Sequence, residues 1–240
     1  MASGQEVGGR LSRSDVVELL KSSRDLSRLD ISGATLNGLD FHAANLSGAN
    51  LSGADLSGAN LSRTVMPGVD LTRAWLVEAN LAHADLREAH MERAILNSAD
   101  LGGAMLLWAD LRSTDLRLAN LTEADLRGAR LSGADFRRAV LSAANLCEAL
   151  LWDTNLEKAI LQSAQLVGAD LSHAHCAGAI FWEADLTEAN LYKADFSDVD
   201  LQRTAITADQ LSVAGSLTGA YLPAELSLRA RLRRGLGRRH

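Results

Sequence analysis

Between Leu26 and Ile206 every fifth residue is apolar, and of the 37 positions in this register 28 are Leu, four Phe, two Ile, two Met and one Cys. No other feature restricts the fold so strongly. In an α-helix five residues advance about 500°, so successive Leu side chains would land ~140° apart and form no stripe. A plain strand alternates every two residues, whereas the apolar spacing here runs two, three, two, three. Two residues before each centre, the 35 positions from Ala34 to Thr204 hold 28 Ala, the exceptions being Leu39, Val69, Val199 and four Thr. The residue just before the centre is mostly Asp or Asn, and the two after it are polar or Gly. Short extended pieces with a corner in every repeat satisfy this pattern: Ala and Leu inward, Asx outward, the polar pair turning the chain. Units that cannot bury a face alone must stack into a solenoid. The composition agrees, because 47% of the 240 residues are hydrophobic but only 4% are aromatic, as a narrow core of standard small units requires.

Runs such as Ala54-Asp55-Leu56 and Ala59-Asn60-Leu61 resemble the A(D/N)LXX consensus of the pentapeptide-repeat proteins, over residues 26–206 without an insertion or deletion. The resemblance implies an all-β solenoid, a right-handed quadrilateral β-helix with four pentapeptides per coil and Ala and Leu or Phe inside. At ~4.8 Å per paired strand, about nine coils make a rod of about 43 Å, with short helical caps at both ends. The division expected is an N-terminal segment with a capping helix (1–25), the β-helix (26–206), a C-terminal cap (207–223) and an Arg-rich tail (224–240). Ser12-Arg13-Ser14-Asp15 has the form of a capping box ahead of a helix over 13–22. A second short helix is expected near Asp209–Ala214, then a closing strand from Leu217 to Leu222 that Pro223 ends. In Thr64-Val65-Met66-Pro67-Gly68-Val69 both Ala positions are lost and Pro67 removes a donor, so a local bulge is expected there.

Phe41, Phe136, Phe181 and Phe196 fall on inward centres, whereas Trp75, Trp108, Trp152, Trp182 and Tyr192 fall on outward positions. A core requirement explains only the first group. Val140, Ile160 and Ile180 occupy one outward column with Trp182 beside them, and Leu150, Trp152 and Tyr192 lie in the same C-terminal half. Together these seven residues form the candidate apolar interface, for a protein partner or for a homodimer through the C-terminal half. Trp75, Val77 and Ile95, and Met105, Leu107 and Trp108, make smaller clusters.

Some members of the family act as mimics of duplex DNA that bind type II topoisomerases and protect them from quinolones, so the resemblance carries a second reading. The chain has a net charge of −6, but the last twenty residues hold six Arg and one Glu, which leaves −11 on residues 1–220. The candidate acidic face carries Asp85, Glu88, Asp125, Glu148, Asp185 and Glu188 against Arg87 and Arg127. A duplex of ~43 Å would carry about 25 charges, so any mimicry is partial, and Asp before the centre already has a turn role. Direct nucleic-acid contact is expected only through the Arg-rich tail.

Cys147 is outward and Cys176 inward on different faces, so no disulfide is expected. His173 and His175 straddle a corner without a third metal ligand, while His42, His83 and His90 are scattered. No phosphate loop, nucleophile elbow or paired carboxylates in a pocket is present. The expectation is a cytoplasmic, non-catalytic protein without cofactor or metal; Met1–Arg10 lacks a signal-peptide core and no apolar run could span a bilayer.

Overall fold

The computed structural model describes residues 10–226 as a square β-helix flanked by α1 (Arg13–Ser22) and α2 (Ala208–Ser212). Parallel backbone pairings join residues 20 apart, from Asp25 with Asn45 through to Asp185 with Ala205, so each coil consists of four pentapeptides. Four faces result. In chain order their middle columns start at Asp25, Asp30, Thr35 and Asp40, and the first face lies opposite the third, the second opposite the fourth.

The repeat is explained by the fate of its five N–H groups. In residues 50–54, Asn50 N–H bonds back to Leu29 O (2.9 Å), while Leu51 and Gly53 bond forward to Asp70 O (2.7 Å) and Thr72 O (2.9 Å). Ala54 closes the corner on Leu51 O at 3.0 Å. The remaining N–H, that of Ser52, goes to the side-chain Oδ1 of Asn50 at 3.0 Å. Asp or Asn before the centre therefore completes the backbone's hydrogen bonding within its own repeat. Asx residues also stack: Asn60 donates to Asp40 (2.8 Å) and Asn120 to Asp100 (2.8 Å).

All repeat centres from Leu26 to Leu201, the four Phe included, are fully buried. Each Leu contributes ~1.5–3 kcal/mol relative to exposure. Where Thr replaces Ala the hydroxyl is not left unpaired: Thr64, Thr114 and Thr154 each donate at 2.7 Å to the carbonyl three residues earlier.

The bulge expected at 64–69 is absent. Val65 pairs with Asn45 and Asp85 in unbroken register, and Thr64 and Val69 are buried where Ala normally sits. Pro67 occupies the one position whose N–H never enters the ladder, and its fixed φ suits the first central residue of a turn. Its carbonyl still accepts from Gly48 N–H at 3.0 Å.

The second corner residue is left-handed in repeat after repeat, including bulky residues such as Arg63 (φ 56), Trp108 (φ 54) and Lys158 (φ 58). Glycine is used there with a second purpose. A Cβ on Gly58 (φ +64) would meet nothing within 4 Å, but one on Gly128 (φ +63) would lie 2.5 Å from the Trp108 ring, which leans over it from the coil before. Gly58→Ala is expected to cost about 1 kcal/mol, the left-handed penalty alone. Gly128→Ala should cost more and shift Trp108 fluorescence, and the excess should vanish when Trp108→Ala is added; urea unfolding of the four variants checks this.

At the N-terminal end Ser12 accepts from Asp15 N–H and Asp15 accepts from Ser12 N–H (2.9 Å), while Val16 and Leu20 of α1 are buried on the core. Inside the stack the carbonyls of Asn45 and Ser47 accept from N–H groups of the preceding coil, those of Leu26 and Arg28. Among the described residues no coil precedes the first. Arg13 supplies the equivalent donors to Thr35 O (2.9 Å) and Asn37 O (3.2 Å), and Arg24 to Asp40 O (3.1 Å) and His42 O (2.7 Å). Two guanidinium groups thus occupy a sheet edge that would otherwise invite pairing. At the other end Gln210 of α2 donates to Leu186 O (2.6 Å) and Ala189 O (3.0 Å). Helix α2 is shorter than the expected 209–214. The closing strand is not continuous either: Asp195 pairs with Ser216 and Asp200 with Tyr221, 21 apart, and the chain turns a further corner at left-handed Gly219. Most of the Arg-rich tail, from residue 227 on, lies outside the described residues.

Candidate interaction surfaces

Charge on this rod is organised by a short-range rule. The residues before and after a centre project side by side, so an Asp–X–Arg sequence closes on itself. Arg87 grips Asp85 through Nε (2.8 Å) and Nη2 (2.6 Å), and Arg127 grips Asp125 at 2.9 and 2.7 Å. The Asp110–Arg112, Asp115–Arg117 and Asp135–Arg137 pairs do the same. Hydrogen bonds from Arg87 hold the Asp85 carboxyl below its ordinary range. For Asp125 burial acts upward, but the hydrogen bonds and charge of Arg127 outweigh it and the carboxyl is again lowered.

The six candidate acidic residues all lie on the first face or at its corner, and the coil spacing separates them. Asp85 and Asp125 flank Met105 in one column, and Asn145 and Gln165 stand between Asp125 and Asp185. In the corner column, Trp108 and Gly128 separate Glu88 from Glu148, and Gly168 separates Glu148 from Glu188. Two of the carboxylates are already held by arginine. No run of adjacent, uncompensated charge forms on this face.

The seven apolar candidates do not make one surface. Val140, Ile160 and Ile180 are paired in successive coils on the fourth face. Leu150 pairs with Arg130 and Asp170 on the second face, on the opposite side of the square. On the fourth face Ile180 is 39% exposed, and Trp182 lies beside it with the Arg203 guanidinium 5.4 Å from its ring centre. On the second face Leu150, Trp152 and Tyr192 are 45%, 49% and 48% exposed. His173, which sequence reasoning left without a role, joins them: its ring sits edge-on to Trp152 (6.3 Å) and Tyr192 (5.8 Å), with Lys193 5.0 Å over Tyr192. The signal in the sequence was a left-handed corner residue midway between two aromatics one coil apart on either side. Trp75 and Ile95 pair on the third face, and Trp108, 64% exposed, lies at the corner after the first.

Every apolar residue before a centre forfeits a bond. Val140, Leu150, Ile160 and Ile180 carry no oxygen to accept the N–H two residues on, the bond that Asn50 makes in its own repeat. The fold therefore gains less from them than from Asx, since a hydrogen bond contributes about 0.5–1.5 kcal/mol net. Cross-strand stacking of branched side chains returns ~0.2–1 kcal/mol of this.

Cys176 is a fully buried repeat centre whose thiol is pushed well up by burial, and Cys147 is half-buried on the first face. His175 lies 3.8 Å from Asp153. Among the described residues no three His, Cys, Asp or Glu side chains are grouped to hold a metal, and no helix is long and apolar enough to cross a membrane.

A family model for pentapeptide repeats matches eight times, within residues 25–63, 66–103, 74–112, 104–142, 139–175 and 164–203. Among solved structures the chain is similar to HetL, a pentapeptide repeat protein involved in heterocyst differentiation regulation from the cyanobacterium Nostoc sp. strain PCC 7120. Identity is 30% over 82% of this chain and 96% of HetL, with a TM-score of 0.69. It also matches a trypsin-treated form of QnrB1, a plasmid-mediated fluoroquinolone resistance protein, at 20% identity over 82% of this chain and 94% of that one, TM-score 0.47. No curated protein sequence matches the chain. The repeat register, the twenty-residue coil, the family model and the likeness to HetL agree on a right-handed β-helix, and the chain belongs to the pentapeptide repeat family.

Proposed function

We propose that the protein is a non-catalytic interaction module, a rigid rod of about nine coils capped by α1 and α2 that presents apolar columns to protein partners in the cytoplasm. One observation carries this reading: Val140, Leu150, Ile160 and Ile180 stand outward where the repeat's own hydrogen bonding favours Asx. Large apolar groups kept outside a filled core mark contact surfaces. The fourth and second faces are opposite each other, so the rod can hold two partners at once, as a scaffold does. HetL, similar over most of its length, is involved in regulation, which fits such a role.

A topoisomerase-binding mimic is the lesser reading, because its acidic residues are interrupted and partly neutralised by Arg87 and Arg127. One experiment addresses both. A photo-crosslinking residue is placed at position 152, 160, 188 or, as a polar control, 52, and the protein is exposed to host extract or to purified DNA gyrase. Discrete adducts from 152 and 160, with extract proteins or with a second copy of the chain, but none from 52, are expected. Adducts to gyrase from 188 would favour the mimic, and none at 152 or 160 would remove the interaction module.

A further inference from the structure

The fourth face carries its own specification of a partner. Its middle column runs Asp100, Asn120, Val140, Ile160, Ile180, Asp200, and the corner residues that follow are Glu123, Ala143, Ser163, Glu183 and Arg203. Between Asn120 and Asp200 the column is uncharged, with an aromatic, Trp182, beside it and charges at both ends. An uncharged, aromatic-bearing centre with a charged rim is how protein interfaces are built. The column is also close to symmetric about Ile160, apolar for one coil in each direction and polar beyond.

We propose that this face binds a second copy of the chain, antiparallel, on a two-fold axis that crosses the face at Ile160. The inference rests on the reading of the rod as an interaction module and names the occupant of one of its two surfaces. An axis lying in the face and perpendicular to the rod brings each residue opposite the one equally far beyond Ile160. Ile160 then meets the partner's Ile160, Val140 the partner's Ile180, and Asn120 the partner's Asp200, an amide donor against a carboxylate. At the following corner Glu123 meets the partner's Arg203, twice per dimer. The one like-charge meeting, Lys158 with the partner's Lys158, falls on the other rim, where Glu157 is 3.2 Å from each amine.

The alternatives are worse on charge. A parallel dimer keeps the apolar residues together but sets Asp100 and Asp200 each against its own copy. Moving the antiparallel axis half a coil step toward Ile180 places Val140 on the partner's Asp200. Complementary charge selects orientation and register more than it adds affinity. From Asn120 to Asp200 the strip spans four coil steps, about 19 Å. One face of that length falls short of the roughly 800 Å² per partner of a standard interface, so the association expected is reversible and micromolar.

The test uses the full chain with Cys147→Ser, to leave only the buried Cys176. Sedimentation over a hundredfold range of concentration should show a monomer–dimer equilibrium, weakened at least tenfold by Ile160→Lys and unaffected by Trp152→Ser on the opposite face. Asn120→Cys mixed with Asp200→Cys should give an oxidised, disulfide-linked dimer, and Asp200→Cys alone should not. Circular dichroism confirms that each variant is folded. A monomer at all concentrations overturns the proposal, as does a dimer broken by Trp152→Ser rather than Ile160→Lys, or one linked by Asp200→Cys alone. A monomer that still gives adducts from positions 152 and 160 leaves the interaction module standing without this dimer.

Discussion

Removing the single repeat 146–150 is expected to leave a folded protein whose self-association is lost. The deletion joins Asn145 to Leu151, so inward centres, Ala or Thr positions and corners all stay in phase. Because every coil is made of interchangeable units, the ladder re-forms one repeat shorter at a cost of a few kcal/mol at most, against the roughly 5–15 kcal/mol that stabilises a domain. The surface does not share this tolerance. Every residue after the junction moves round by one face, so Ile160 and Ile180 leave the column of Val140 and the fourth face loses its apolar centre. Cooperative urea unfolding together with monomeric sedimentation is the expected outcome. Unchanged association would show that column alignment does not matter, and loss of cooperative unfolding would show that the coils are not interchangeable.

The second large effect contrasts two aromatic residues of opposite placement. Phe181 is fully buried with the Phe196 ring 5.6 Å away, centre to centre. Phe181→Ala should cost about 3–5 kcal/mol, because the narrow square core cannot collapse into the space while the ladder bonds hold the coils apart. Trp152→Ala removes a larger side chain, yet Trp152 is half exposed, with the His173 ring edge-on at 6.3 Å, so the cost should stay near 0.5 kcal/mol. Denaturant midpoints of the two variants measure the difference. Equal losses would mean that the outer aromatic clusters brace the rod, which would weaken their assignment as contact surfaces.

How far the sequence carried the structure is clearest from particular residues. The inward placement of Phe41 and Phe136 and the outward placement of Trp108 and Trp182 follow from position within five residues, a local property. The start of α1 was legible because Ser12 and Asp15 bond to each other across three residues. Pro67 was misread because the chain alone does not show which of five N–H groups stays out of the ladder. Arg13 and Arg24 were not anticipated at all, since the carbonyls they occupy lie 16 to 24 residues away along the chain. Gly128 looked like one more corner glycine until the ring of Trp108 was seen above it.

The surfaces divide in the same way. The period determined by itself which residues point outward, because inward and outward are set by backbone geometry within each repeat. Which outward residues become neighbours was decided by the closing of the coil after twenty residues, with the side chains of one coil resting on those of the next. That closure put Val140, Ile160 and Ile180 in line, sent Leu150 and Trp152 to the opposite face, and interleaved the carboxylates of the first face with Met105, Asn145 and Gln165. Charge neutralisation by Arg87 and Arg127 was spelled out in the Asp–X–Arg tripeptides, but it took the extended geometry around each centre to bring the two side chains into contact.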